Sequence, residues 1–96
     1  MSNTTAFSYE QLVASSKPQH LTASIFAPID GIAEKAYISV EGGWRVMYHG
    51  GEPSTLDGHV LRDGSSMILN GELSIKNFRA ISLNEHSVMS VSYERK

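Results

Sequence analysis

The chain has 96 residues, a formal net charge of −2 at pH 7 and no cysteine. This length predicts one domain, because two hydrophobic cores would not fit in a chain of this size. The near balance of charge argues against binding to duplex DNA or to an anionic membrane, and the lack of cysteine excludes disulfides and thiolate metal sites. No segment resembles a membrane span or a secretory signal, so we expect a soluble, cytoplasmic protein.

The first elements along the chain are predicted to be a disordered segment and a helix. Residues 1–6 are small and polar, which favours disorder, and residues 7–96 form the single domain. Ser8 and Gln11 have the spacing of a helix capping box. They predict a short helix over residues 9–16 that packs on a sheet, with Pro18 ending it.

A strand and a hairpin are predicted next. Residues 21–27 alternate between apolar and polar side chains and favour a strand. Gly42 and Gly43 lie between two further apolar runs, which predicts a hairpin that pairs Tyr37 with Tyr48. In that register, four apolar side chains share one face of the hairpin: Tyr37, Trp44, Val46 and Tyr48.

Residues 59–93 predict an antiparallel meander. Asp63-Gly64 and Asn70-Gly71 are preferred central pairs of tight hairpin turns, and residues 84–86 predict a third turn. The alternation places Leu61, Ile68, Leu73 and Ile75 on the core face. After the third turn, a three-residue loop aligns Met89, Val91 and Tyr93 with Ile81 and Leu83, whereas a two-residue loop favours Val88. The predicted fold is therefore a mainly β, α+β domain, with the N-terminal helix on a six- or seven-stranded antiparallel sheet curled into a roll or half-barrel.

The loop after the hairpin is a candidate metal or small-ligand site. It brings two imidazoles and two carboxylates into eleven residues, namely His49, Glu52, Asp57 and His59. Two histidines and a carboxylate would suit zinc or non-haem iron, but the spacing matches no established motif. Ordinary polar loop residues are the simpler interpretation, so no cofactor is expected. The chain also lacks a Gly-x-Ser-x-Gly nucleophile motif, and catalysis is not expected.

The aromatic face of the predicted hairpin gives the leading functional hypothesis. One short helix cannot cover the apolar side chains on both faces of the hairpin, and exposed apolar patches usually mark interaction sites. We therefore expect a non-catalytic protein-interaction module that forms a homodimer or binds a protein partner. A ligand- or metal-binding β-roll is the alternative. Stacking of single-stranded nucleic acid on Tyr37, Trp44 and Tyr48 is a third hypothesis, disfavoured by acidic neighbours.

Overall fold

The protein is a sandwich of two antiparallel four-stranded sheets. The structure is a computed structural model that describes residues 5–27, 32–54 and 56–95. Sheet A contains β1 (Thr5–Val13), β3 (Lys35–Glu41), β6 (Ser66–Asn70) and β8 (Val88–Arg95), in the order β1-β8-β3-β6. Sheet B contains β2 (Gln19–His20), β4 (Trp44–Met47), β5 (His59–Leu61) and β7 (Arg79–Ser82), in the order β2-β7-β4-β5. Two short helices, α1 (Ala23–Phe26) and α2 (Glu72–Asn77), connect the sheets.

One hydrophobic core lies between the sheets. The alternation in β3 sends Ala36, Ile38 and Val40 inward, and β4 sends Trp44 and Val46 toward them from the other sheet. The prediction that Met89, Val91 and Tyr93 share a core face is confirmed, and the following buried side chains complete the core: Leu12, Leu21, Phe26, Leu69, Ile75, Phe78 and Ala80. The mainly β, antiparallel fold class is therefore confirmed, but two four-stranded sheets replace the predicted single sheet of six or seven strands curled into a roll or half-barrel.

The predicted hairpins are wrong, because the chain changes sheets at the turns. Tyr37 does not pair with Tyr48; it pairs with Ile68 and Ser92 in sheet A, whereas Trp44 pairs with Leu61 and Ser82 in sheet B. Turn residues reverse the chain, but they do not decide whether the next strand bonds to the previous one. Here the two apolar strands bury more surface by facing each other across the core.

These changes of sheet occur together at one end of the sandwich, which we call the crossing corner (residues 42–43, 62–65 and 83–87). Gly42 N–H donates to the Asp63 carboxylate at 2.9 Å, which ties the first crossing to the second. The Ser87 hydroxyl and the Leu83 N–H both donate to the Gly43 carbonyl, each at 2.9 Å. The three crossings therefore hold one another in place.

The predicted N-terminal helix is also wrong. Residues 5–13 form β1, which pairs along its length with β8. Ser8 does not cap a helix; its hydroxyl donates to the Ile25 carbonyl at 3.0 Å. The strand predicted over residues 21–27 contains α1 instead. Of the segment expected to be disordered, residues 1–4 lie outside the described part of the chain, and Thr5 and Ala6 belong to β1.

The Asn70-Gly71 pair begins a helix and not a hairpin. Gly71, with a φ of +92°, precedes α2, which carries the chain from sheet A to sheet B at the end opposite the crossing corner. The prediction that Ile75 is core is confirmed, since it is 1% exposed. The prediction that Leu73 and Ile68 are core is wrong, because the chain changes sheets between β5 and β6 and enters α2 after Gly71, so a tight hairpin register does not hold there. Within the described residues, no helix is long and apolar enough to cross a membrane.

Candidate functional site

The four residues of the predicted aromatic face do not lie on one face. Trp44 and Val46 are fully buried in the core, because β4 turns them toward sheet A. Tyr37 points outward from sheet A, and Tyr48 is partly exposed just after β4 in sheet B. The aromatic platform proposed for single-stranded nucleic acid therefore does not form as predicted.

The candidate metal site lies in the loop that carries His49, Glu52, Asp57 and His59, which we call the histidine loop. Among the described residues, no group of three His, Asp or Glu side chains could hold a metal ion. His59 instead stacks on Tyr48 with ring centroids 5.7 Å apart, and His49 meets the same ring edge-on at 6.1 Å. Glu52 pairs with Arg79 at 3.7 Å. Asp57 exchanges backbone hydrogen bonds with Ser54 across a tight turn.

This loop partly covers the outer surface of sheet B. Pro53 is buried, and the guanidinium of Arg45 donates to the Gly58 carbonyl at 2.8 Å. An added Cβ at Gly58 would lie 3.2 Å from Pro53 Cβ and 3.2 Å from the Val46 carbonyl oxygen, so the loop lies close against β4. Part of the outer face of sheet B is therefore covered by the chain's own loop.

The outer face of sheet A has no such cover among the described residues. Strand register places Tyr9, Ser92, Tyr37 and Ile68 side by side across all four strands. We call these four residues the aromatic row. Tyr9 is 54% exposed, Tyr37 47% and Ile68 52%. Three large side chains with apolar surface thus share one exposed face, with a serine between the two tyrosines.

A second neutral row lies beside the first. In the same register, Gln11, Ser90, Ser39 and Ser66 follow one another across the sheet, and the Tyr9 hydroxyl donates to Ser90 Oγ at 3.1 Å. Neither row contains a charged residue. Charged side chains begin only in the flanking rows, at Lys35, Glu41 and Glu94.

A buried polar cluster fixes β1, and with it Tyr9, on the sheet. The carboxylate of Glu10 points inward and accepts hydrogen bonds from the Tyr93 hydroxyl at 2.5 Å, from Thr22 N–H at 3.0 Å and from the Thr22 hydroxyl at 2.9 Å. Burial, with added help from Glu10, raises the pKa of Tyr93 well above its usual range. Tyr93 therefore stays protonated and keeps donating.

Sequence reasoning missed Tyr9 and Ile68 as surface residues. The alternation of residues 36–41 already indicated that Tyr37, Ser39 and Glu41 share one side of a strand. No local pattern shows that β1 and β6 extend this side, because β1 pairs with a strand about eighty residues away. No protein-family model, curated protein or solved structure matches this chain.

Proposed function

We propose that the protein is a non-catalytic protein-interaction module that self-associates through sheet A, which carries the exposed aromatic row. The exposed aromatic row supports this proposal, because contiguous apolar surface on a small protein usually marks an interaction site. Tyrosine, serine and asparagine are also typical of adaptable contact surfaces. The function expected from the sequence is thus kept, but its surface moves from the predicted hairpin to sheet A.

A second copy of the chain is the occupant that this surface favours. The two neutral rows offer no charge to attract nucleic acid, an anionic membrane or a strongly charged peptide. A neutral face is not repelled by its own copy, and a two-fold axis lets one patch bury itself. Ile68, at the β6 end of the row, can then lose its exposure to water against its own copy.

Light scattering across micromolar to millimolar concentrations tests this proposal. The wild type should reach twice the chain mass of 10.5 kDa. Replacing Tyr37 and Ile68 together by serine should weaken the dimer and leave folded monomers, because both side chains point away from the core. Circular dichroism of the variant would check that it remains folded.

A matched control is available on the other side of the sandwich. Tyr48 and Val60 are partly exposed and also combine an aromatic with an aliphatic side chain. Replacing both by serine removes a similar apolar surface and should leave the dimer unchanged. A wild type that stays monomeric throughout would overturn self-association. Equal weakening by the two double variants would overturn the assignment to sheet A.

A further inference from the structure

The two edges of sheet A differ in how they are protected. At one edge, β1 has an irregularity in register between Ala6 and Ser8. The segment after β1 also bonds to it, since the Gln19 side chain donates to the Val13 carbonyl at 2.6 Å and Ser8 donates to Ile25. Irregular register and covering segments are the usual means by which proteins stop an edge strand from pairing with another chain.

The other edge, β6, has neither an irregular register nor a covering strand among the described residues. Its sequence is Ser-Met-Ile-Leu-Asn, with no charge, proline or glycine, and it pairs with β3 in continuous register. No described segment pairs with its outer side, since β6 is the last strand of sheet A. An uncharged edge strand of this kind is a template for strand addition.

The hydrogen bonds at the two ends of β6 show which backbone groups face the open edge. Val40 N–H donates to the Ser65 carbonyl at 3.0 Å, and Gly71 N–H donates to the Glu34 carbonyl at 2.7 Å. Because bonding direction alternates along an antiparallel strand, Met67 and Leu69 also bond toward β3. The backbone groups of the three remaining residues then face outward: Ser66, Ile68 and Asn70.

The sequence of β6 is complementary to itself about Ile68. If two copies of β6 run antiparallel with Ile68 on the two-fold axis, Ser66 lies opposite Asn70 and Met67 lies opposite Leu69. Polar residues then face polar ones, and apolar residues face apolar ones. The outward backbone groups also match, because every hydrogen-bonded pair in this register joins residues 66, 68 and 70.

We infer that two copies of the chain join along β6, in antiparallel register about Ile68, to form one continuous eight-stranded sheet. This inference rests on the proposed self-association and specifies its geometry: the contact lies at the β6 end of the aromatic row, at Ile68, and Tyr9 at the β1 end stays outside it. The aromatic rows of the two copies then form one continuous row across the joined sheet, with Ile68 of one copy beside Ile68 of the other. The two inner faces keep their own cores, so neither copy has to unfold to make the contact.

A charge exchange at residue 68 tests the two-fold axis. In Ile68→Lys and in Ile68→Glu, each dimer would oppose two like charges and lose an apolar contact, so each should weaken the dimer about tenfold or more. An equimolar mixture of the two variants should recover dimer, because opposite charges then meet. The exposed position of Ile68 keeps both substitutions away from the core. Tyr9→Lys is the control, since Tyr9 lies in the same row at the far edge of the sheet.

Single cysteines give a second test, because the chain contains none of its own. Opposed residues in a hydrogen-bonded antiparallel pair have Cα atoms about 5.5 Å apart, within the range of a disulfide. Ile68→Cys should therefore oxidise to a covalent dimer. Ser66→Cys alone should not, since its copy lies about 13 Å away along the strands, whereas a mixture of Ser66→Cys and Asn70→Cys should cross-link.

The outcomes separate this geometry from the proposed function. A wild type that dimerises, with no recovery in the Lys and Glu mixture and no cross-link at residue 68, would overturn the β6 arrangement and leave self-association standing. A wild type that remains monomeric would overturn both. Recovery in the mixture together with the residue-68 cross-link would support the β6 arrangement.

Discussion

Alanine at Gly42 should destabilise the protein strongly. Gly42 has a φ of +73°, and a Cβ there would lie 2.6 Å from Ser87 Oγ and 2.8 Å from Ser87 Cα. The left-handed backbone costs alanine about 1–2 kcal/mol, and displacing a packed neighbour costs about 1–3 kcal/mol. Alanine also restricts the unfolded chain, which offsets about 0.4–1 kcal/mol. The expected net loss is about 1–4.6 kcal/mol, a fall in Tm of at least about 4 °C for a domain of this size.

Substitutions at Gly64 and Gly43 separate the cost of the left-handed backbone from the cost of the contact with Ser87. Gly64 has a φ of +84° but no atom within 4 Å of an added Cβ, so Gly64→Ala reports the backbone cost alone. Gly43→Ala keeps an ordinary backbone and meets only the flexible Leu83 side chain at 3.3 Å, so it should be nearly neutral. Thermal and urea unfolding of the three variants, followed by circular dichroism, gives the comparison. If Gly42→Ala is no less stable than Gly64→Ala, then Ser87 yields freely and the crossing corner is not rigid.

The remaining predictions concern the buried tyrosine, α2 and metal. Tyr93→Phe removes a donor to Glu10 and should cost about 1–3 kcal/mol in urea unfolding. Because the folded-state pKa of Tyr93 is raised above the ordinary value of 10.0, its contribution is complete below pH 10.0 and is lost as the pH rises further. Above pH 10.0, the free energy of unfolding of the wild type should therefore fall more steeply with pH than that of Tyr93→Phe. If the two proteins lose stability in parallel as the pH rises, this reasoning is contradicted. In calorimetry, Ile75→Ala should lower the free energy of unfolding by about 2–5 kcal/mol, whereas Leu73→Ala, at a site 69% exposed, should lower it little. Similar losses in the two variants would show that α2 is not held on the core by Ile75. EDTA should leave Tm unchanged, and a large fall would restore the metal hypothesis for the histidine loop.

Alternation along the sequence predicted correctly which side chains share one side of two central strands, but it left open which side of β3 faces the core and which of two loop lengths precedes β8. Both Ile38 in β3 and Val91 in β8 follow an uninterrupted alternation of apolar and polar residues, and both are buried. Alternation works here because one side of each strand faces the core along its whole length. The prediction is wrong for β6, where Ile68 is exposed and Leu69 buried, because the Asp63-Gly64 turn leads from sheet B to sheet A and does not join two paired strands.

Pairing partners and the N-terminal strand could not be predicted from local signals. Ser8 and Gln11 fit a helix start, yet β1 has a longer-range alternative in β8 that supplies its backbone bonds. Tertiary context commonly overrides a weak local preference of this kind. The same limit applies to the candidate site, since Tyr9 and Ile68 join Tyr37 only after distant strands have assembled.

The pairing of β1 with β8 also determines when this chain can fold during its synthesis. Thr5 pairs with Arg95, so β1 has no partner in sheet A until nearly all the described chain has left the ribosome. At about 5–20 residues per second, β1 would remain unpaired for several seconds after it emerges. We therefore expect nascent chains to depend on chaperones during translation, and a circular permutant that joins β8 directly to β1 should shorten this exposed interval.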